Sequence, residues 1–288
     1  MGAYHRPSDL GTALRLLADS DALPLAGGTD VFPAEATRTG WGAAGLDQTD
    51  LLDLSALAEL RGIADRGDRV EIGALVTWSE AINASLPPWF DAVRAAAREV
   101  GGVQIQNRGT LAGNLCNASP AADGVPPLLA LDARVRLASA AGSRELPLAE
   151  FLRGSRQTAL VRGELLTHIV VPKPPADARS VFLKLGARRY LVISIAMVAA
   201  TTTLDAAGRI ADVRIAVGAC APVAVRLRAL ESRLRGLTPK VAAAAVVQAD
   251  LDGLAPIDDI RASADYRRHA ALVLVRRVLG GEASALAA

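Results

Sequence analysis

The chain has 288 residues, 51% hydrophobic but only 3% aromatic, enough for one large or two modest domains with cores of Ala, Val and Leu. Its 32 basic and 30 acidic residues leave a net charge of +2, with no basic stripe interleaved with aromatics, so nothing points to nucleic acid. Cys116 and Cys220 are too few for a disulfide scaffold or a four-cysteine cluster, and His5, His168 and His269 lie too far apart for metal-ligand spacing.

Pro7-Ser8-Asp9 reads as a helix start, followed by Leu10, Leu14 and Leu17 at helical spacing and a stop near Asp19. Leu23 to Ala26 reads as a buried strand that runs into Gly27-Gly28-Thr29-Asp30. Gly40 to Gly45 spells G-x-G-x-x-G, but no strand precedes it and no helix follows, so it reads as a loop and no Rossmann domain is expected. Leu51 to Leu54 and Arg69 to Leu75 read as strands, and Trp78 to Ser85 and Trp89 to Val100 as helices, the second ended by Gly101-Gly102. Val103 to Asn107 leads into a side-chain-poor stretch, Gly109 to Asp123. Leu128, Leu129 and Leu131 suggest a helix that turns into a strand over Arg134 to Ala138, and Leu165 to Val171 is a further strand.

Pro172, Pro174 and Pro175 then break any regular element; the segment reads as a domain boundary, with a stiff loop inside one domain as the alternative. Beyond them, Val192 to Leu204 and Arg209 to Gly218 read as strands joined by the hairpin composition Asp205-Ala206-Ala207-Gly208. Val223 to Arg235, Pro239 to Ala249 and Asp265 to Leu279 read as helices, so the second part is a small antiparallel sheet backed by helices. The longest apolar run, Val192 to Ala200, is too short to span a bilayer, and the N-terminus lacks a signal-peptide pattern. A soluble, cytoplasmic protein without membrane insertion is expected.

The chemistry concentrates in two loops. In Leu25 to Val31 (LAGGTDV), Gly27 and Gly28 present consecutive N–H groups without side chains and Thr29 adds a hydroxyl, a combination able to hold a pyrophosphate. A strand, a Gly-Gly turn and a helix start also occur together in many folds without a ligand. In Gly109 to Asp123 (GTLAGNLCNASPAAD), the expectation is that Gly109, Gly113 and the turns free backbone N–H groups. There Asn114, Asn117 and Ser119 either satisfy buried backbone or reach a ligand, and Asp123 either caps the next helix or accepts from a ribose or diphosphate-linked sugar. The two loops together read as a clasp around one large phosphorylated cofactor. Cys116 reads as a small packing residue rather than a redox thiol, and His168 as a satisfied or edge residue.

AGGTD, followed about eighty residues later by NRGTLAGNLCNASPAAD, closely resembles the FAD-binding medium subunit of the molybdenum hydroxylases, a family that includes xanthine and carbon monoxide dehydrogenases. The resemblance extends to YHRPSDL at Tyr4, LLDLS at Leu51 and LKLGARRYLVISIAMVA at Leu183. It implies an α+β fold: a vanillyl-oxidase (PCMH) type two-part FAD-binding domain over residues 1–175, with lobes of roughly 1–55 and 56–175, and a C-terminal flavin-subunit domain over 176–288. Carried over by motif, Leu25, Ala26, Gly27, Gly28, Thr29, Asp30 and Val31 would hold non-covalent FAD from one side. Gly109, Thr110, Gly113 and Asn114 would hold it from the other, with Asn117, Ala122 and Asp123 near the ribityl and adenosine portions. Leu166 matches a position lining the adenine pocket, Lys184 a basic position close to FAD, and Val100 a position flanking the isoalloxazine. Tyr190 either belongs to the core or covers the flavin.

There are departures. Ala112 replaces the first glycine of the family's T-x-G-G-N, which is acceptable only at negative φ. The run Tyr190-Leu191-Val192 is neutral where NAD-linked relatives carry acids, and the chain lacks the cysteines of an inserted iron–sulfur loop. The resemblance implies an electron-transfer subunit of a heterotrimer. A small [2Fe–2S] subunit would feed it, and a large molybdopterin subunit would carry the molybdenum cofactor and do the hydroxylation. An external acceptor (NAD, quinone or other) would drain it. No catalytic acid or base is implied, and the chain alone would be inactive toward the organic substrate. A self-sufficient flavoprotein of the same fold would instead need a titratable group over the ring, and a flavin-free assembly subunit would not need the glycine loops.

Overall fold

The computed structural model describes residues 2–33 and 49–281. The Gly40-to-Gly45 motif lies outside the described residues. Three short parallel strands open the fold, in the order β1 (Tyr4–His5), β3 (Leu51–Asp53), β2 (Leu23–Leu25). Helix α1 (Leu10–Asp19) covers them; Asp9 caps it by accepting from the Thr12 N–H at 2.8 Å, and Ala13, Leu14 and Leu17 face inward. Because β2 ends at Leu25, the chain leaves the sheet directly into Ala26–Asp30.

A five-stranded antiparallel sheet follows, ordered β4 (Ile63–Asp65), β5 (Arg69–Gly73), β10 (Leu165–Pro172), β6 (Arg134–Ser139), β7 (Gly142–Pro147). Strand alternation puts Val70, Ile72, Val135, Leu137, Ile169 and Val171 into the core. Between β5 and β6 run α2 (Trp78–Asn83), α3 (Asp91–Glu99), α4 (Val103–Arg108), α5 (Leu111–Asn117) and α6 (Val125–Ala130). Between β7 and β10 come the short α7 (Leu148–Phe151) and the hairpin β8 (Leu152–Gly154), β9 (Gln157–Thr158).

On the outer face of the five-stranded sheet, Glu71 accepts from Arg136 at 2.6 Å and from Arg66 and Arg69 at 3.2 Å each. The Arg136 hydrogen bond leads in holding its carboxyl down, to about 2. Below its ordinary 4.5, the unfolded chain takes up this proton before the folded one does. The stabilisation is therefore complete above about 4.5 and drains away as pH falls toward about 2. Glu71→Gln is expected to cost about 1–2 kcal/mol at neutral pH, reduced from a buried-pair value because the arginines are partly solvated. The difference in unfolding midpoint from wild type should close between pH 5 and 2, and a constant gap would contradict the assignment.

The last sheet is antiparallel, ordered β11 (Arg179–Leu185), β12 (Ala196–Leu204), β13 (Ile210–Gly218), β14 (Val225–Arg226). One of its faces places Phe182, Met197, Ala199 and Ala216 in the first core. The alternate residues Leu183, Ala196, Val198, Ala200, Ile215 and Val217 join a second core, with helices α8 (Arg228–Leu234), α9 (Pro239–Ala245) and α10 (Ala264–Gly280). The expected sheet backed by helices is therefore present, with both sheet faces covered. The Ala92 N–H donates to Ser180 Oγ at 2.8 Å, which ties α3 to β11. Arg267 on α10 is fully buried; it donates to the Ile195 carbonyl at 2.7 Å and to Asp259 Oδ1 at 2.6 Å.

Several elements differ from the sequence reading. Gly109 to Asp123 is not irregular throughout: Thr110 nucleates α5, and Leu111, Ala112 and Leu115 of that helix are buried. β12 starts at Ala196 rather than Val192, because Leu191 takes φ +54 and the run before Ile195 turns. Val223 to Arg235 splits into edge strand β14 and α8, where Arg226 grips Glu231 at 2.6 Å across the junction. β7 and β11 carried no usable pattern: most of β7 is exposed, and β11 is buried on both faces. Among the described residues, no helix is long and apolar enough to cross a membrane.

Candidate functional site

The two glycine loops meet. A Cβ on Gly27 would overlap the Arg108 carbonyl oxygen and lie 3.0 Å from Gly109 Cα, so only glycine permits this approach. The second loop is anchored from below: the Trp78 N–H donates to Gly109 O and the Leu111 N–H to Val76 O, each at 3.1 Å. Thr110 Oγ1 accepts from the Gly113 N–H at 2.9 Å and caps α5. Asn114 Oδ1 accepts from the Gly124 N–H at 3.2 Å, and Asn117 Nδ2 donates to Asp30 Oδ1 at 2.7 Å, bridging the loops.

Beside this contact the loops part around a cleft of about 840 Å³. It is lined by Ala26 to Val31, Val100, Thr110, Gly113, Asn114, Asn117, Ala122, Asp123 and Leu166, all named from the sequence. Four others named there lie off its wall. Leu25 is the buried end of β2, and Gly109 sits at the loop junction with its N–H given to Ile105 O. Lys184 stands behind Asp123, and Tyr190 is 57% exposed under the Arg189 guanidinium. Its neighbours Leu191, Val192 and Ile193 line the cleft instead.

The loops do not offer their backbones equally. The expected free N–H groups of Gly109 and Gly113 are already used, by Ile105 O and by Thr110 Oγ1. Among the described residues, nothing accepts from the N–H groups of Gly27, Gly28, Thr29 and Asp30. A run of such donors at a concave surface is suited to an anion. Ala112 lies inside α5 outside the positive-φ residues, so its Cβ is tolerated there.

The cleft's acids are mostly neutralised. Asp123 is buried; Lys184 Nζ donates to one oxygen and Ser194 Oγ to the other, each at 2.9 Å. Burial pushes the Asp123 carboxyl up, and Lys184 opposes this. Lys184 also donates to the Glu99 carbonyl at 3.3 Å, and burial raises the Glu99 carboxyl. Glu164 takes a two-pronged ion pair from Arg144 at 2.6 and 2.8 Å. The Cys116 side chain opens onto the cleft rather than the core, and the surrounding protein pushes its thiol up to about 12, so it stays protonated at neutral pH.

Lys184→Met would leave Asp123 buried without its cation. The expected cost is about 1–3 kcal/mol, limited because the carboxyl can take up a proton. A carboxyl whose folded pKa is raised destabilises as pH rises past its unfolded value, so the deficit should grow from pH 5 to 8. A deficit independent of pH, read from denaturant midpoints, would rule this out.

Residues outside the two loops also line the wall, among them Ile105, Arg156, Leu160, Glu164 and Leu191 to Ile193. Arg156 sits at the tip of the β8–β9 hairpin with φ +59, and nothing in its sequence surroundings signals a site. The cleft volume lies within the roughly 300–1,000 Å³ typical of sites enclosing small molecules and cofactors. A donor-rich loop opposed to a capped helix across the cleft defines a class of protein suited to enclosing a ligand with an anionic centre.

The comparisons agree with that class. Residues 1–174 match the family profile described as FAD binding domain in molybdopterin dehydrogenase, and residues 182–281 match CO dehydrogenase flavoprotein C-terminal domain. The chain is 31% identical over 282 residues to a xanthine dehydrogenase FAD-binding subunit of Escherichia coli O157:H7, covering 96% of this chain and 94% of the relative. It is 34% identical over 278 residues to the 6-hydroxypseudooxynicotine dehydrogenase complex subunit alpha of Paenarthrobacter nicotinovorans, covering 93% and 89%. Reconstituted CO dehydrogenase from Oligotropha carboxidovorans superposes with a TM-score of 0.88 at 29% identity, over 99% of this chain and 98% of that one. The chain belongs to the family of FAD-binding medium subunits of molybdenum hydroxylases: an FAD-binding domain followed by a C-terminal domain of antiparallel sheet and helices.

Proposed function

We propose that this chain holds FAD non-covalently in the cleft and is the electron-transfer subunit of a heterotrimeric molybdenum hydroxylase. The observation that carries this is the row of free N–H groups from Gly27 to Asp30, facing a cofactor-sized cleft walled on its other side by α5. Bound FAD supplies the exchange between one-electron and two-electron carriers. The chain's own residues bind and orient. Gly27 to Asp30 donate to the diphosphate, and Thr110, Gly113 and Asn114 form the opposite wall. Asn117, Ala122 and Asp123 line the path of the ribityl and adenosine portions, Leu166 the adenine end, and Val100 the flavin end. Tyr190, beside the cleft-lining Leu191, covers the flavin edge, and Lys184 acts through Asp123.

Electrons would arrive from a small [2Fe–2S] subunit and leave to an external acceptor such as NAD or a quinone. Hydroxylation would occur on a large molybdopterin subunit, and this chain would be inactive toward the organic substrate alone. Support comes from the relatives, which are named as subunits or medium chains of dehydrogenases. Among the described residues of the cleft, Asp123 and Glu164 are engaged in ion pairs and Asp30 accepts from the Asn117 amide, which speaks against a dedicated acid–base pair there. The FAD-binding domain would span 1–175, in lobes of about 1–55 and 56–175, and the C-terminal domain 176–288. This division is supported by the two family matches, over 1–174 and 182–281, and by the proline-rich Pro172-to-Pro175 segment. A cytoplasmic setting is part of this reading.

The test is reconstitution. The full chain, incubated with FAD and passed through gel filtration, should retain about one flavin per chain and co-purify with iron–sulfur and molybdopterin subunits when these are co-expressed. A chain that retains no flavin would overturn the reading.

A further inference from the structure

Four charged residues line the cleft among those described: Asp30, Asp123, Arg156 and Glu164. Asp123 is matched by Lys184 and Glu164 by Arg144. Asp30 receives only the Asn117 amide. Arg156 makes no ion pair; its Nη1 donates to Asn117 Oδ1, and its remaining donors are unused among the described residues. Asn117 thus links the acid on one loop to the cation on the hairpin.

The hairpin tip is built to hold this cation in place. Arg156 adopts φ +59, a left-handed conformation that a residue with a side chain adopts only when its surroundings enforce it. The enforcing contact is its own N–H, which donates to the Ala118 carbonyl at 2.8 Å. Ala118 ends α5, itself left-handed at φ +44, so two strained residues lock the hairpin to the second loop. Without Arg156 the fixed charge on the wall would be negative, and an anion entering it would meet only backbone dipoles.

We propose that Arg156 is the counter-charge this chain supplies to the phosphate-bearing part of its ligand, held in position by Asn117. This rests on the FAD reading above. It adds a residue that the glycine loops alone do not reveal, and it assigns Asn117 a positioning role rather than a direct one. A guanidinium with unused donors beside a phosphate forms charge-assisted hydrogen bonds, and these weaken as salt rises.

The test uses the full-length chain stripped of flavin and titrated with FAD by fluorescence, at about 20 mM and about 300 mM salt. Wild type should bind more weakly at high salt. Arg156→Gln should bind FAD about tenfold to a hundredfold more weakly at low salt and lose most of the salt dependence. Arg156→Lys keeps the charge and should restore the salt dependence with partial affinity. Wild-type affinity in Arg156→Gln would overturn the inference while leaving the FAD reading standing. So would an equal loss in both variants with the salt dependence intact, since that would mean shape or stacking rather than charge. If wild type itself takes up no FAD, the FAD reading fails and this inference fails with it.

Discussion

Replacing Gly27 by alanine is expected to abolish FAD retention by the full chain. The added methyl would overlap the Arg108 carbonyl oxygen and sit 2.7 Å from its carbon. The Arg108–Gly109 backbone cannot retreat, because the Gly109 N–H is given to Ile105 O at 2.7 Å and Gly109 O receives Trp78 N–H at 3.1 Å. The first loop must therefore lift away, and its four free donors leave the positions that face the second loop. The strain is about 1–3 kcal/mol of overpacking, and together with the displaced donors it should weaken FAD binding by on the order of a hundredfold or more. Gly253→Ala is the control, since a Cβ there meets nothing within 4 Å. Flavin absorbance after gel filtration reads the result. Wild-type flavin content in Gly27→Ala would show that the loop contact is irrelevant to binding.

The largest loss of stability is expected from Arg267→Met. Arg267 is 1% exposed, and its guanidinium serves the Ile195 carbonyl at 2.7 Å, the Ala219 carbonyl at 3.3 Å and Asp259 at 2.6 Å. Asp259 is also held by Arg261, and the hydrogen bonds from that arginine keep its carboxyl well below the usual carboxylate range. Methionine fills the space but strands two buried carbonyls and takes one of two guanidinium partners from Asp259, which Arg261 still holds; this should cost about 2–4 kcal/mol. The effect should also reach the cleft, because Ile195 follows Ser194, whose hydroxyl holds Asp123. Denaturant unfolding and FAD titration on the same variant test both parts. A change below about 1 kcal/mol would mean that water replaces the guanidinium freely.

Periodicity and punctuation made much of the fold legible. α1 and α10 showed apolar residues every three or four positions, and Asp205 to Gly208 announced its hairpin. α5 was hidden because Gly113, Asn114 and Asn117 are poor helix formers. The helix exists through its Thr110 cap and the burial of Leu111, Ala112 and Leu115. Of the cleft, the two loops could be read because glycines next to polar residues are unusual and carry a mechanism. The expectation that Gly109 and Gly113 free their N–H groups did not hold, since anchoring and capping consumed them. Arg156 and Leu160 could not be read at all: only the closing of distant strands brings them to the wall. Lys184 was legible as a basic residue of the site, but not as the partner of Asp123.

The sheet of β11 to β14 is wetted on neither side: Phe182, Met197 and Ala199 belong to the interior of the first part, and their alternate neighbours to that of the second. Lys184 and Ser194, from beyond the prolines, brace an aspartate that lies before them. Neither half is a module that selection could trade or discard alone. A gene truncated at the proline segment would encode a fragment with a greasy flank and an unbraced pocket.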